Sequence, residues 1–354
     1  MQRTRREFLG LLGGGAAGST AGCVAPARND PVGERRFAML YEDVAPSVAR
    51  VQTTADGRTG QGSGFRYRTG LDDDDSYVVT NQHVVGPDPD AVRIQYADGE
   101  WVEVAVVGTD PYSDLAVLDP GADIGSEPLP LRETVPPIGT EVLVVGSPLG
   151  FSGSASQGII SGRNRSIPAA GNYTIADAIQ TDAALNPGNS GGPILTLDGD
   201  VVAVATARAS GSDNVGFGVS APLARRVVPS LIENGRYDHS HMGIAIRDVG
   251  PLLAEANDLP AARGVYVTAT EAGGPADGVL RGSTGQTVVD GTPIPAGGDV
   301  IVGLGKTAID TQSGLSRYLA LETAPGDVID VRIRREGSER TVQLELGTRP
   351  DPRS

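Results

Sequence analysis

Residues 181–193 read Thr-Asp-Ala-Ala-Leu-Asn-Pro-Gly-Asn-Ser-Gly-Gly-Pro. Gly188 and Gly191 bracket Ser190. A nucleophilic serine needs such a tight turn, because its Oγ must project while nearby N–H groups converge. Glycine-rich serine turns are also common in chains without catalysis, so the turn needs partners. Residues 78–85 (VVTNQHVV) supply an apolar run ending in a polar turn with His83, the one histidine before residue 236. Residues 110–118 (DPYSDLAVL) set Asp114 immediately before an apolar run. Alone, His83 reads as a satisfied structural histidine and Asp114 as a turn residue. Together the three follow the chain order His83, Asp114, Ser190. Serine is a poor nucleophile until a base takes its proton; a neutral imidazole does so when a carboxylate fixes its tautomer and stabilises the imidazolium.

Outward from these segments, short apolar runs recur between turn residues at 47–53, 64–67, 77–80, 92–96, 102–107, 115–118, 142–146, 158–161, 193–196 and 201–206. The chain has 49 Gly and 25 Pro with only 4% aromatics, which favours a turn-rich β protein over a helical bundle. Strands without long intervening helices predict a sandwich or barrel over residues 36–235. The acidic run Asp72–Asp75 reads as a solvated hairpin tip. Leu223, Val227 and Leu231 recur at helical spacing, with Gly235 as the stop; Pro229 inside the run calls for a kink or a late start.

These motifs resemble the HtrA/Deg branch of the chymotrypsin-like proteases. The resemblance rests on TNQHVV around His83, the DPYSDLAVL segment, NPGNSGGP around Ser190, Gly62-Ser63-Gly64-Phe65, and Gly146–Gly150 followed by Ser156–Ser161. It covers most of residues 45–235. It implies a mainly β fold: a chymotrypsin-like double β-barrel followed by an α+β PDZ domain. It implies Ser190 as nucleophile, His83 as base and Asp114 as its orienting carboxylate. The oxyanion hole falls on the N–H groups of Gly188 and Ser190, and neither metal nor organic cofactor is required. The strand and loop after the serine would line the substrate pocket, where Arg208 stands in place of the usual apolar residue; it either points into that pocket or lies on the surface.

Residues 240–348 resemble a PDZ module. His241-Met242-Gly243-Ile244 matches the loop whose N–H groups capture a peptide's terminal carboxylate, so Met242, Gly243 and Ile244 are the implied carboxylate loop. Gly278–Gly282 and Gly298–Ile301 match a second motif, here split by an insertion at 283–297 that reads as a small hairpin. Leu315, Tyr318 and Leu319 share a helical face that lines the groove or fills the core. His239 and His241 read as exposed, unpaired linker residues.

The N-terminus reads as an address. Thr4-Arg5-Arg6-Glu7-Phe8-Leu9 resembles a twin-arginine export signal over residues 1–22. The apolar run behind it is too short and glycine-rich to span a membrane. Cys23, the only cysteine, follows Thr20-Ala21-Gly22 and resembles a lipidation site, with residues 23–35 as a tether; Thr20 departs from the usual leucine. One cysteine excludes an internal disulfide and a thiolate zinc cage. The net charge is −15, with 44 Asp+Glu against 29 Lys+Arg, and Lys306 is the single lysine. Such a surface argues against nucleic acid as a partner and resembles salt-adapted proteins.

Two classes of function follow. One is an ATP-independent serine endopeptidase for unfolded or damaged exported polypeptides, with the PDZ domain binding peptide C-termini. It would be extracytoplasmic and held on the outer membrane face by a lipid anchor alone. The other is a non-catalytic chaperone or scaffold binding unfolded chains. The resemblance also implies a homotrimer through N-terminal aromatics, for which Phe37 and Tyr41 are the candidates.

Overall fold

The computed structural model describes residues 31–69, 76–96, 99–121, 126–147, 153–168, 173–208 and 214–351, with the backbone alone at 31–34, 207 and 208. Cys23, the export segment and the run Asp72–Asp75 lie outside the described residues.

Helix α1 (Pro31–Val44) leads into the first barrel. Strands β1 (Val48–Ala55), β2 (Arg58–Tyr67), β3 (Tyr77–Thr80), β4 (Ala91–Gln95), β5 (Val102–Asp110) and β6 (Leu115–Asp119) close it in the order β1-β2-β3-β6-β5-β4. Between β3 and β4 lies a single helical turn, α2 (Gln82–Val85). A second closed barrel, β10-β11-β12-β9-β8-β7, comprises β7 (Glu141–Gly146), β8 (Ser154–Pro168), β9 (Thr174–Thr181), β10 (Pro193–Thr196), β11 (Val201–Arg208) and β12 (Gly216–Ser220). Closure removes sheet edges, and period-two alternation turns one face of each strand inward. Val51, Val78, Ile94, Ala116 and Leu118 fill the first barrel; Val142, Val144, Ile179, Ile194 and Val202 fill the second. The opposite faces meet in a larger core that includes Phe65, Leu115, Leu195 and Val204.

That core is covered by helix α3 (Ala221–Asn234) through Leu223, Val227, Val228 and Leu231. Ser220 caps its start by accepting from the Leu223 N–H, and Gly235 ends it at φ 72° with its N–H on the Leu231 carbonyl. The start is not late: the helix continues through Pro229. Strand β9, absent from the apolar runs above, pairs with β8 and β12. Its sequence TIADAIQT buries Asp177 among Ile175, Ala178 and Ile179, which masked the apolar pattern.

The second module centres on a sheet ordered β14-β15-β18-β20-β21, with β19 paired to β18. These strands are β14 (Ile244–Asp248), β15 (Val265–Thr270), β18 (Val300–Leu304), β19 (Thr307–Ala308), β20 (Val328–Arg335) and β21 (Ser338–Glu345). The insertion at 283–297 forms the hairpin β16 (Gly285–Val289) and β17 (Thr292–Ala296) against helix α4 (Pro251–Ala256). The short pair β13 (Ser240–His241) and β22 (Gly347–Thr348) joins the module's two ends. Helix α5 (Gln312–Glu322), capped by Thr311, buries Leu315 in this module's core.

Helix α5 also packs on β8, β9 and α3. Arg317 donates from Nε to Asp177 Oδ1 at 3.0 Å, and Ser220 Oγ donates to Asp177 Oδ2 at 2.6 Å. Arg226 on α3 reaches the carbonyls of Leu321 and Thr323. The linker histidines are neither exposed nor unpaired. His239 Nε2 lies 2.8 Å from Asp110 Oδ2 with its side chain only 10% exposed, and His241 Nε2 lies 3.0 Å from Glu271 Oε2. Both acids are remote in sequence, so spacing along the chain could not reveal them. Phe37 and Tyr41 pack, half-buried, against the chain's own large core.

Candidate active site

The site lies between the two barrels. His83 sits on α2, whose one turn ends at Gly86 (φ 81°) with the Gly86 N–H on the Gln82 carbonyl. Asp114 closes the turn before β6 in the left-handed region at φ 56°, a conformation Asp tolerates better than most residues. That turn is built by Asp110, which accepts from the N–H groups of Tyr112 and Ser113 and from the Ser113 hydroxyl. The Asp114 carbonyl accepts from Asn81 Nδ2 at 2.8 Å and from the Gln82 N–H at 3.2 Å, which locks α2 onto it.

The side chains of His83 and Asp114 therefore meet twice. His83 Nδ1 lies 2.8 Å from Asp114 Oδ2 and 3.0 Å from Oδ1, and the His83 backbone N–H donates to Oδ1 at 3.0 Å. An ionised carboxylate only accepts, so Nδ1 carries the proton and Nε2 presents its lone pair. Burial pulls the His83 pKa down, but the hydrogen bond and charge of Asp114 outweigh it, and the net shift is upward from 6.5.

Thr206 on β11 joins this pair to the serine. Its hydroxyl donates to Asp114 Oδ2, and its carbonyl accepts from Ser190 Oγ at 3.2 Å. Among the described residues no hydrogen bond joins Ser190 to His83. Sequence reading gave no role to Thr206, Asn81 or Ser63; Asn81 and Ser63 stand inside motifs quoted above, but the partners that give them a role lie 33 and 125 positions away.

The turn itself is dense with backbone bonds. Gly191 (φ 85°) and Gly192 have no room for a side chain: a Cβ would meet the Ser63 carbonyl at 2.0 Å and the Val145 carbonyl at 2.3 Å respectively. Among the described residues, no hydrogen bond uses the N–H of Gly188 or of Ser190. Both stay available to a ligand oxygen, and Gly188 holds φ 103°. Arg208 ends β11 opposite Gly216, and its side chain lies outside the description. Among the described residues no cluster of His, Cys, Asp and Glu has the makings of a metal site.

The residues of the candidate carboxylate loop open the sheet of the second module. Met242 is buried, Gly243 takes φ 67°, and Ile244 opens β14. A pocket runs from this loop along α5, lined by Met242, Ile244 and Leu319, and is completed by Tyr112, Thr174 and Leu223 of the barrel unit.

Two closed six-stranded barrels with this His–Asp pair beside a glycine-bracketed serine, followed by a PDZ-like sheet, define a trypsin-like serine protease fold with one PDZ domain. Residues 62–204 match the trypsin-like peptidase domain family, and residues 240–346 match the PDZ domain family. A probable periplasmic serine endoprotease, DegP-like, from Pseudomonas fulva is 34% identical over 296 residues, 82% of this chain and 56% of that protein. The serine protease Do-like HtrA of Bacillus subtilis is 30% identical over 348 residues, 89% of this chain and 73% of that protein. The structure of the HtrA-type protease AlgW with tripeptide superposes with a TM-score of 0.71 at 30% identity, over 90% of this chain and 98% of that one. The chain belongs to the HtrA family of serine proteases. It spans 56%, 59% and 54% of the length of three DegP-like relatives, from Pseudomonas fulva, a Marinomonas species and Rhizobium meliloti.

Proposed function

We propose that this chain is a serine endopeptidase that cleaves unfolded or damaged polypeptides outside the cytoplasm. The observation that carries the reading is the connected set His83–Asp114–Thr206–Ser190 at the barrel interface. For attack, the Ser190 hydroxyl exchanges its bond to the Thr206 carbonyl for one to His83 Nε2. His83 takes the proton as Oγ adds to the scissile carbonyl, and Asp114 stabilises the imidazolium. The N–H groups of Gly188 and Ser190 receive the oxyanion. His83 then delivers the proton to the leaving amine, and water hydrolyses the acyl-enzyme by the same route reversed.

The PDZ domain recruits clients by their C-termini at Met242–Ile244, the peptide adding a strand beside β14. Export through residues 1–22, lipid anchoring at Cys23 and assembly as a trimer through Phe37 and Tyr41 belong to the same proposal. A serine-directed fluorophosphonate should label the wild type at Ser190. Ser190→Ala and His83→Ala should each abolish casein hydrolysis without loss of fold by circular dichroism. Hydrolysis retained by pure Ser190→Ala would refute the assignment, and a pure wild type that neither takes the label nor hydrolyses casein would favour the scaffold reading.

A further inference from the structure

We infer that Ser63, on the first barrel, is a positioning residue that sets the oxyanion-binding turn carried by the second. The inference rests on the assignment of Ser190 as nucleophile. Ser63 is fully buried on β2 and makes four hydrogen bonds. Its N–H donates to the Ser190 carbonyl at 2.7 Å, and its carbonyl accepts from Thr80 Oγ1 at 2.6 Å. Its hydroxyl donates to the Gly188 carbonyl at 2.6 Å and accepts from the Ser147 N–H at 2.9 Å. The hydroxyl proton has one direction open to it: an N–H occupies the acceptor side, so the proton must point at Gly188.

These bonds fix three successive peptide planes: the second carries the Ser190 N–H, and the first, set between it and the plane of the Gly188 N–H, links the two proposed oxyanion donors. The plane between Gly188 and Asn189 is held by Ser63 Oγ at its carbonyl and by the Asn186 carbonyl at its N–H, 3.0 Å away. The next plane is held at the Asn189 carbonyl by the Gly192 N–H at 2.9 Å, which leaves the Ser190 N–H facing outward. The third is held by the Ser63 N–H and by the Ala205 carbonyl, which accepts from the Gly191 N–H at 2.7 Å. Of these clamps, only the Ser63 hydroxyl is a side-chain group that substitution can remove. Gly188 sits at φ 103°, where glycine offers little resistance to rotation, so its ψ depends on what holds its carbonyl. Preorganised donors aimed at the developing charge act on the transition state rather than on substrate binding. Ser63 therefore governs kcat without touching substrate.

The test compares full-length wild type with Ser63→Ala on one peptide substrate, alongside a peptide boronic acid that forms a tetrahedral adduct on the serine. The expected result is a kcat lower by about 10–100-fold with KM within about threefold. The inhibition constant of the boronate should rise by the factor by which kcat/KM falls. The pH midpoint of kcat, which reports His83, should not move. Ser63→Thr, which keeps the hydroxyl, should recover part of the loss. Should Ser63→Ala fail to fold, Ser63→Cys, similar in volume and a weaker donor, takes the same comparison. Wild-type kcat in the variant, or a kcat loss with unchanged boronate affinity, overturns the inference. Fluorophosphonate labelling separates the two levels: a wild type not labelled at Ser190 brings down the nucleophile assignment and this inference with it.

Discussion

In the proposed mechanism, the working pH of the base His83 is set by one contact. Burial alone would favour the neutral ring, yet the hydrogen bond and charge of Asp114 raise its pKa above 6.5. A general base must be neutral, so activity should fall as pH drops through that raised value. The acid limb of the kcat/KM profile should thus have its midpoint above 6.5, the unperturbed imidazole value. Asp114→Asn should move the midpoint down and lower kcat by roughly 10³–10⁴-fold, because the ring loses both tautomer control and imidazolium stabilisation. The folding linkage has the opposite sign. A histidine with a raised folded pKa stabilises fully below its unfolded pKa and loses that contribution as pH rises through the folded one. The site thus works best where this pair stabilises the fold least, and pH-dependent melts beside rate profiles should show the two trends diverging.

At the scale of elements, α5 ties the PDZ module to the barrels through a buried acid. Asp177 is 1% exposed, and burial raises its pKa against the opposing hydrogen bond from Ser220 and the charge and hydrogen bond of Arg317. The Arg317 side chain is 39% exposed, so solvent screens part of the attraction. Removing it nevertheless leaves a carboxylate buried with one hydroxyl partner. Arg317→Ala should cost about 2 kcal/mol, below the full penalty for breaking a buried pair, and Asp177→Asn in the same chain should recover part of it. A double-mutant cycle by urea denaturation measures the coupling; additive effects would mean that the pair contributes nothing to docking. The same junction bears on the catalytic turn. Asp110 braces that turn from within and pairs with His239 of the linker, while Tyr112 donates to the Pro350 carbonyl and lies 3.7 Å beneath the Arg349 guanidinium.

For the whole molecule, the net charge makes a prediction. The net −15 rests on 44 acidic residues, and removal of residues 1–22 would take away three arginines and one glutamate. Unscreened, these charges repel and penalise the compact state. At molar salt the Debye length is about 3 Å, which removes most of that repulsion. Melting temperature and peptidase activity should therefore both rise from low to molar KCl. Values flat across that range would show that acidity serves solubility alone. Membrane attachment is a second whole-molecule property. Cys23→Ser should release the mature protein into the medium, as read by fractionation and immunoblot, because no other anchor is proposed. A variant still fully membrane-bound would locate the attachment elsewhere.

The sequence by itself determined the two-module order, most strands and the hairpin at 283–297, and it singled out His83, Asp114 and Ser190 as candidates, of which the structure brings His83 and Asp114 into contact. Those features are local: glycine spacing, period-two alternation and short motifs carry them within a few residues. Whatever depends on residues far apart in the chain was decided only by the tertiary structure. Thr206 joins Asp114 to Ser190 across 92 and 16 positions, and Ser63 reaches the Gly188 carbonyl across 125. Histidines that read as free find acids brought from other elements: Asp110 lies 129 positions from His239, and Glu271 lies 30 from His241. Gly191 and Gly192 were legible as a turn, but the reason no side chain fits is the carbonyls of Ser63 and Val145, delivered by two different barrels. Local pattern specifies which groups are presented; barrel closure and the docking of α3 and α5 specify which groups they meet.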